Sequence, residues 1–137
     1  MGPSERPDRA QTSGTTPPGQ PVFVLHDHRK PAPHFDLRLE EDGVLKSWAV
    51  PRGLPTDSRR DRLAVQVGDH DLDHATYTDE HKLIADAGWW ELEDRTAKRF
   101  VFVLHGRDGP RRYAMITTDP DTNDRLLHLV KKQPPAG

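Results

Sequence analysis

The stretch His28-Arg-Lys-Pro-Ala-Pro-His34-Phe-Asp36-Leu-Arg38-Leu-Glu40 decides how this chain is read. From His34 onward it alternates strictly, with His34, Asp36, Arg38 and Glu40 set against Phe35, Leu37 and Leu39. That period of two is a strand with one face in a core and the other in a polar setting. Same-face neighbours on a strand stand about 6.6 Å apart. The tips of His34 and Asp36 can therefore meet at one ion, with Arg38 one step further along.

Outward from this strand, the flanking segments read the same way. Pro21 to His26 is a strand candidate, and Pro31-Ala-Pro33 enforces an extended bend before His34. Asp42-Gly43 is a hairpin signal, with Val44 to Val50 returning and Pro51 ending the strand. Residues 51 to 61 form a polar loop. Arg62 to Val67 alternates again, with Arg62, Ala64 and Gln66 read as the polar side opposite Leu63, Val65 and Val67. Gly68 to His74 has no helical period. Residues 75 to 87 leave helix and strand both open. Gly88 to Glu93, Arg99 to His105, Arg111 to Thr117 and Arg125 to Val130 complete the strand set, Phe- and Val-rich at 99 to 105. Seven or eight short strands with little helix predict an all-β fold, a compact closed or partly open β-barrel. Barrels of this size fill their interior or open one end into a cleft.

The chain has 137 residues, 33% hydrophobic, with a mean hydropathy of -0.86. This suits one domain with a small core and a very polar surface. The Pro-, Ser- and Thr-rich residues 1 to 20 read as a disordered tail, 21 to 132 as the barrel and 133 to 137 as a second tail. No apolar run reaches the roughly 20 residues of a membrane span, and the N-terminus lacks a signal-peptide core. A cytoplasmic, monomeric protein without membrane contact is expected. The absence of cysteine removes disulfides, thiolate metal sites and cysteine nucleophiles. At a net charge of -2, nucleic-acid contact has to come from a local patch.

The spacing His28-x5-His34-x-Asp36 offers two imidazoles and a carboxylate, a set that suits Mn, Zn, Fe or Co and leaves coordination positions open for catalysis. It also fits a solvated sheet face on which Asp36 merely pairs with Arg38. Arg38, Arg52 and Arg62 can bind phosphate bidentately or be ordinary surface arginines. His70 lies at even spacing from Arg62, so a continued strand puts the two on one face, forming an opposite wall to the same cleft. There His70 could orient a phosphate or act as an acid; a loop histidine capped by neighbouring aspartates fits the pattern equally well. Trp48, Trp89 and Trp90 read as core or rim residues. P-loop, nucleophile-elbow, HExxH and dinucleotide-binding signatures are absent from the sequence.

The block His28-x5-His34-Phe-Asp36-Leu-Arg38-Leu-Glu40, followed by Asp42-Gly43-Val-Leu-Lys-Ser-Trp-Ala-Val-Pro51-Arg-Gly53, resembles the 3′-phosphoesterase domain of bacterial DNA ligase D. The resemblance continues through Arg62-Leu-Ala-Val-Gln-Val-Gly-Asp-His70. It is traceable at Gly88-Trp-Trp-Glu, Phe102 to Gly106 and Arg112 to Ile116, covering roughly residues 21 to 132. It implies a β-barrel enzyme of end-joining repair that trims a terminal ribonucleotide and removes a 3′-phosphate from DNA or RNA-tipped 3′ ends. The implied metal is Mn²⁺, with Zn²⁺ or Co²⁺ as alternatives, and the implied partner is a separate ligase or polymerase. Carried over by position, His28, His34 and Asp36 are implied metal ligands, and Arg38 and His70 hold the scissile phosphate. Arg62 matches a further basic residue, and Arg52 stands where the family usually has lysine. Gly68 replaces a usual glutamate and His74 a usual tyrosine, at a substrate-binding position. The family's glycine-rich element is shortened between Thr76 and Gly88. The start at Met1 without a ligase or polymerase module resembles the stand-alone members. The departures motivate an alternative: a catalytically weak or inactive barrel that binds DNA ends or a repair partner.

Overall fold

The alternation of residues 34 to 40 is one wall of an eight-stranded closed antiparallel barrel in the computed structural model, which describes residues 16–135. The strands are β1 (Val22–His28), β2 (His34–Glu41), β3 (Val44–Val50), β4 (Arg62–His70), β5 (Lys82–Arg95), β6 (Arg99–Gly106), β7 (Gly109–Ile116) and β8 (Asp124–Leu129). A short 3-10 helix, Leu72–Thr76, connects β4 to β5. Each half of the chain is a four-stranded meander, β1 to β4 and β5 to β8. The halves close on each other where β4 pairs with β8 and β1 with β5. Among the described residues no helix is long and apolar enough to cross a membrane.

The barrel interior is filled, not open. Every strand sends at least one side chain to a single apolar cluster: Phe23, Leu37, Trp48, Ala64, Trp90, Phe102, Tyr113 and Leu127 are among its members. Trp48 and Trp90 are core residues as their sequence context suggested. At the β2–β3 hairpin, Asp42 and Gly43 both take positive φ, 56° and 81°, as a two-residue turn matched to the strand twist requires. The expected tail at 1 to 20 falls mostly outside the described residues. At the other end, the Gln133 side chain exchanges hydrogen bonds with the backbone of Arg112 at 2.7 and 3.0 Å, fastening the chain beyond β8.

Two expectations change. The ambiguous 75 to 87 segment is neither one helix nor one strand. The 3-10 turn ends at Thr76, and β5 begins at Lys82 after a backbone bridge between Asp79 and Lys82. A five-residue 3-10 turn is too short to print a helical period. The polar members of β4 also face the other way. Ala64 is fully buried in the interior cluster, so Arg62 and Gln66 share its inward face while Leu63 and Val67 are exposed.

Candidate functional site

The polar site lies on the outer wall of the barrel. On β1 the inward residues are Phe23 and Leu25, so Val22, Val24, His26 and His28 point out. On β2 the inward residues are Leu37 and Leu39, so His34, Asp36 and Arg38 point out beside them. Pairing puts His28 across from His34 and His26 across from Asp36. A second, small apolar cluster of Val22, Val24, Leu45, Ala75 and Ala87 seats the 3-10 turn against this wall. The polar bowl therefore has β1 and β2 as its floor and the 72 to 82 segment as a rim.

The three expected metal ligands meet. Ligand atoms of His28, His34 and Asp36 lie within 4.8 Å of one another. His28 Nδ1 is 3.1 Å and His34 Nε2 is 3.3 Å from the two oxygens of the Asp36 carboxylate. His34 Nδ1 is 2.9 Å from the carbonyl of Ala32, to which it donates its proton. In the neutral ring, Nε2 then turns a lone pair toward a carboxylate oxygen. Two acceptors in contact are satisfied by a cation between them, so the donor set fits a divalent metal.

Arg38 backs this triad and is 2% exposed. Nη2 donates to Asp36 at 3.3 Å, Nε to His26 Nδ1 at 3.3 Å, and Nη1 to Ser47 Oγ and His70 Nδ1, both at 3.0 Å. Guanidinium carries only donors, so His70 Nδ1 accepts and its proton sits on Nε2. Burial, and then the Arg38 charge, holds His70 below the ordinary histidine range. His26 is fixed the same way: Nε2 donates to the Tyr77 carbonyl at 2.9 Å while Nδ1 accepts from Arg38. Burial first pushes His26 down to about 4, with the Arg38 charge adding to it.

His70 reaches this group through a bulge. Ser47 pairs with Val67 but Leu45 pairs with His70, so β4 spends two residues, Gly68 and Asp69, opposite Lys46 alone. The extra residue reverses the alternation and turns His70 outward. The even spacing from Arg62 to His70 therefore does not put them on one face. Arg62 instead donates to the carbonyls of Arg52 at 2.6 Å and Leu54 at 3.0 Å, pinning the 51 to 61 loop. Arg52 is exposed on that loop. A cavity of about 600 Å³ there is lined by Arg52, Arg60 and Arg62 with Asp57 and Asp61, and includes none of the triad.

His74 joins the bowl from the 3-10 turn. Its ring lies 4.7 Å from that of His70, 5.3 Å from that of His26, and stacks on Tyr77 at 4.8 Å. Its Nε2 accepts from Lys82 Nζ at 3.1 Å, and burial, then Arg38 and Lys82, depress it to about 4. Sequence reasoning missed His26, Ser47 and Lys82. His26 had a signal, its even spacing from His28 on β1. Ser47 had one too, directly across from Arg38 in the Asp42-Gly43 hairpin register.

Residues 26–117 match the family model described as the DNA ligase D 3′-phosphoesterase domain. The chain belongs to that family. It is 44% identical to the multifunctional non-homologous end joining protein LigD of Pseudomonas aeruginosa over 94% of this chain. It is 35% identical to the LigD non-homologous end joining DNA repair protein of Mycobacterium tuberculosis over 92% of this chain. These stretches are 16% and 19% of those relatives, so the chain spans less than a fifth of the proteins it matches. The family match contains every residue of the bowl, from His26 through Lys82.

Proposed function

We propose that the chain is a divalent-metal-dependent phosphoesterase that removes the phosphate from 3′ ends of DNA or RNA-tipped primer strands in end-joining repair. The observation that carries this reading is the meeting of His28, His34 and Asp36 beside a buried arginine in a chain of this family. His28, His34 and Asp36 would hold the ion, Mn²⁺ in the first instance, with Zn²⁺ or Co²⁺ as alternatives. When bound there, it supplies Lewis-acid polarisation of a phosphoryl oxygen.

The chain's own residues do the rest. Arg38 uses one N–H of Nε, two of Nη1 and one of Nη2 on protein partners, which leaves one Nη2 proton for a phosphoryl oxygen. Its rigid placement means charge growing on that oxygen meets a preorganised donor. His70, neutral with its proton on Nε2, can donate a hydrogen bond to a phosphoryl oxygen or to the leaving 3′ oxygen. Arg52 would contact the strand, on a loop that Arg62 holds in place. His74 would line the substrate side.

The test is phosphate release from a 3′-phosphate primer-template, with Mn²⁺ and with chelator. His34→Ala and Asp36→Ala should each lose at least about a hundredfold in rate, the scale of removing a metal ligand or its support. Full activity in either variant would sink the ligand assignment. The same substrate ending in a ribonucleotide tests whether trimming accompanies phosphate removal. Tight binding of 3′-phosphate ends without turnover under Mn²⁺, Zn²⁺ and Co²⁺ would favour an end-binding module instead.

A further inference from the structure

Lys82 stands in the bowl with no role in the reading above. It opens β5, and the register places it directly across from His28, which is itself across from His34. Its backbone is fixed there by paired hydrogen bonds to Asp79 at 3.0 and 3.2 Å. Only 9% of the residue is exposed. A buried ammonium has to be paired or fully hydrogen-bonded. The partners Lys82 has are neutral: His74 Nε2 at 3.1 Å and the Tyr77 ring at 5.5 Å.

The charged groups that face it are Arg38, Asp36 and Asp79. Asp36 already accepts from Arg38 and faces His28 and His34. Asp79 is exposed and accepts from the Tyr77 hydroxyl at 2.6 Å and the His81 N–H at 2.7 Å. Two buried cations, Arg38 and Lys82, thus share one buried carboxylate, with neutral His70 and His74 between them. Burial and the Arg38 charge lower Lys82 from its ordinary value, as expected of a cation whose counter-ion is missing. An anion over His70 and His74 would have a donor on each side.

We propose that Lys82 is a phosphate-contacting residue, the jaw opposite Arg38, and that it biases the site toward a terminal phosphate monoester over a singly charged diester. This rests on the phosphoesterase reading and deepens it. The monoester carries close to two charges near neutrality, which a pair of cations matches and a diester does not. Lysine serves here as a point charge with rotatable donors, suited to a phosphate end whose orientation is set by other groups.

Inorganic phosphate titrated into the metal-free full chain by calorimetry reads the contact without turnover. Lys82→Met should weaken phosphate binding about tenfold or more, and Lys82→Arg should stay within about threefold of the parent. With Mn²⁺, the rate ratio of a 3′-phosphate end to a simple phosphodiester should fall about tenfold in Lys82→Met. Urea unfolding of each variant confirms that it is folded. A folded Lys82→Met with parental phosphate affinity and rate ratio overturns the role of Lys82 while phosphate release by the parent keeps the enzyme reading. A parent chain that neither binds phosphate nor releases it overturns both.

Discussion

A guanidinium sealed from water has to place its N–H groups on protein acceptors, and Arg38 does so by tying His26, Ser47, His70 and Asp36 into one unit. Removing it leaves the Asp36 carboxylate buried without its cation. Arg38→Ala should cost about 3 kcal/mol of unfolding free energy in urea. Part of that loss should return on adding Mn²⁺, because a cation held by the triad stabilises the folded state by mass action. His26 gives the pH counterpart. Its folded value is about 4 against 6.5, so the unfolded chain takes up a proton first as pH falls. Stability is therefore full above pH 6.5 and declines between 6.5 and 4, by about 3 kcal/mol from His26 and less from half-exposed His74. Urea midpoints at pH 7 and 4.5 measure the decline, and His26→Gln should flatten it. His28, His34, Asp36 and Arg38 were legible because one alternating strand and its approach carry all four. His26 was harder to see: its even spacing from His28 was the signal, but it follows the run Val22 to Leu25, whose outer-face valines are apolar and hide the polar side.

At the level of strands, close approach and irregularity decide what the barrel tolerates. Gly88 lets β5 pass against β6: a Cβ there would sit 1.9 Å from the His105 carbonyl oxygen and 3.2 Å from the Phe23 ring. Gly88→Ala should cost about 3 kcal/mol, at the upper end of ordinary overpacking, because backbone cannot step aside as a side chain can. Gly68 lies in the β4 bulge with nothing within 4 Å of an added Cβ. Gly68→Ala should leave the thermal midpoint within a degree or two, so a scan of the two variants separates clash from mere loss of glycine. That bulge is also where reading the sequence failed. Strand alternation assigned Arg62 and His70 to one face, but one unpaired residue reverses the count, and Gly68, a glycine inside a strand pattern, was the mark of the bulge that alternation alone passed over. The inward face of β4 misled for a related reason. Ala64 is the only small apolar residue among Arg62, Ala64 and Gln66, and Leu63 and Val67 outweigh it in any reading by hydropathy, although they face water.

Across the whole molecule, the strand count and the absence of helical period made a barrel legible, but the order of closure was not. Nothing local in the sequence says that β4 finds β8 and that β5 returns to β1, since those contacts depend on two meanders meeting edge to edge. Charge works at this scale as well. The chain carries 20 basic and 22 acidic side chains, so its attraction to a polyanion cannot come from an overall field. Under the proposed function it comes from a few groups: Arg38 and Lys82 in the bowl, and Arg52 on its loop. With about three phosphate charges neutralised, two of them on the terminal monoester, affinity for a 3′-phosphate duplex should fall roughly 10- to 50-fold between 50 and 200 mM salt, against 10³- to 10⁵-fold for proteins making six to ten contacts. Fluorescence anisotropy in chelator measures this slope. A matched duplex ending in a 3′-hydroxyl lacks the phosphate proposed for Arg38 and Lys82 and should bind about tenfold more weakly, with a slope smaller by nearly two. Equal affinity and equal slope for the two ends would mean that the protein holds the duplex along its backbone and that the bowl does not read the terminus.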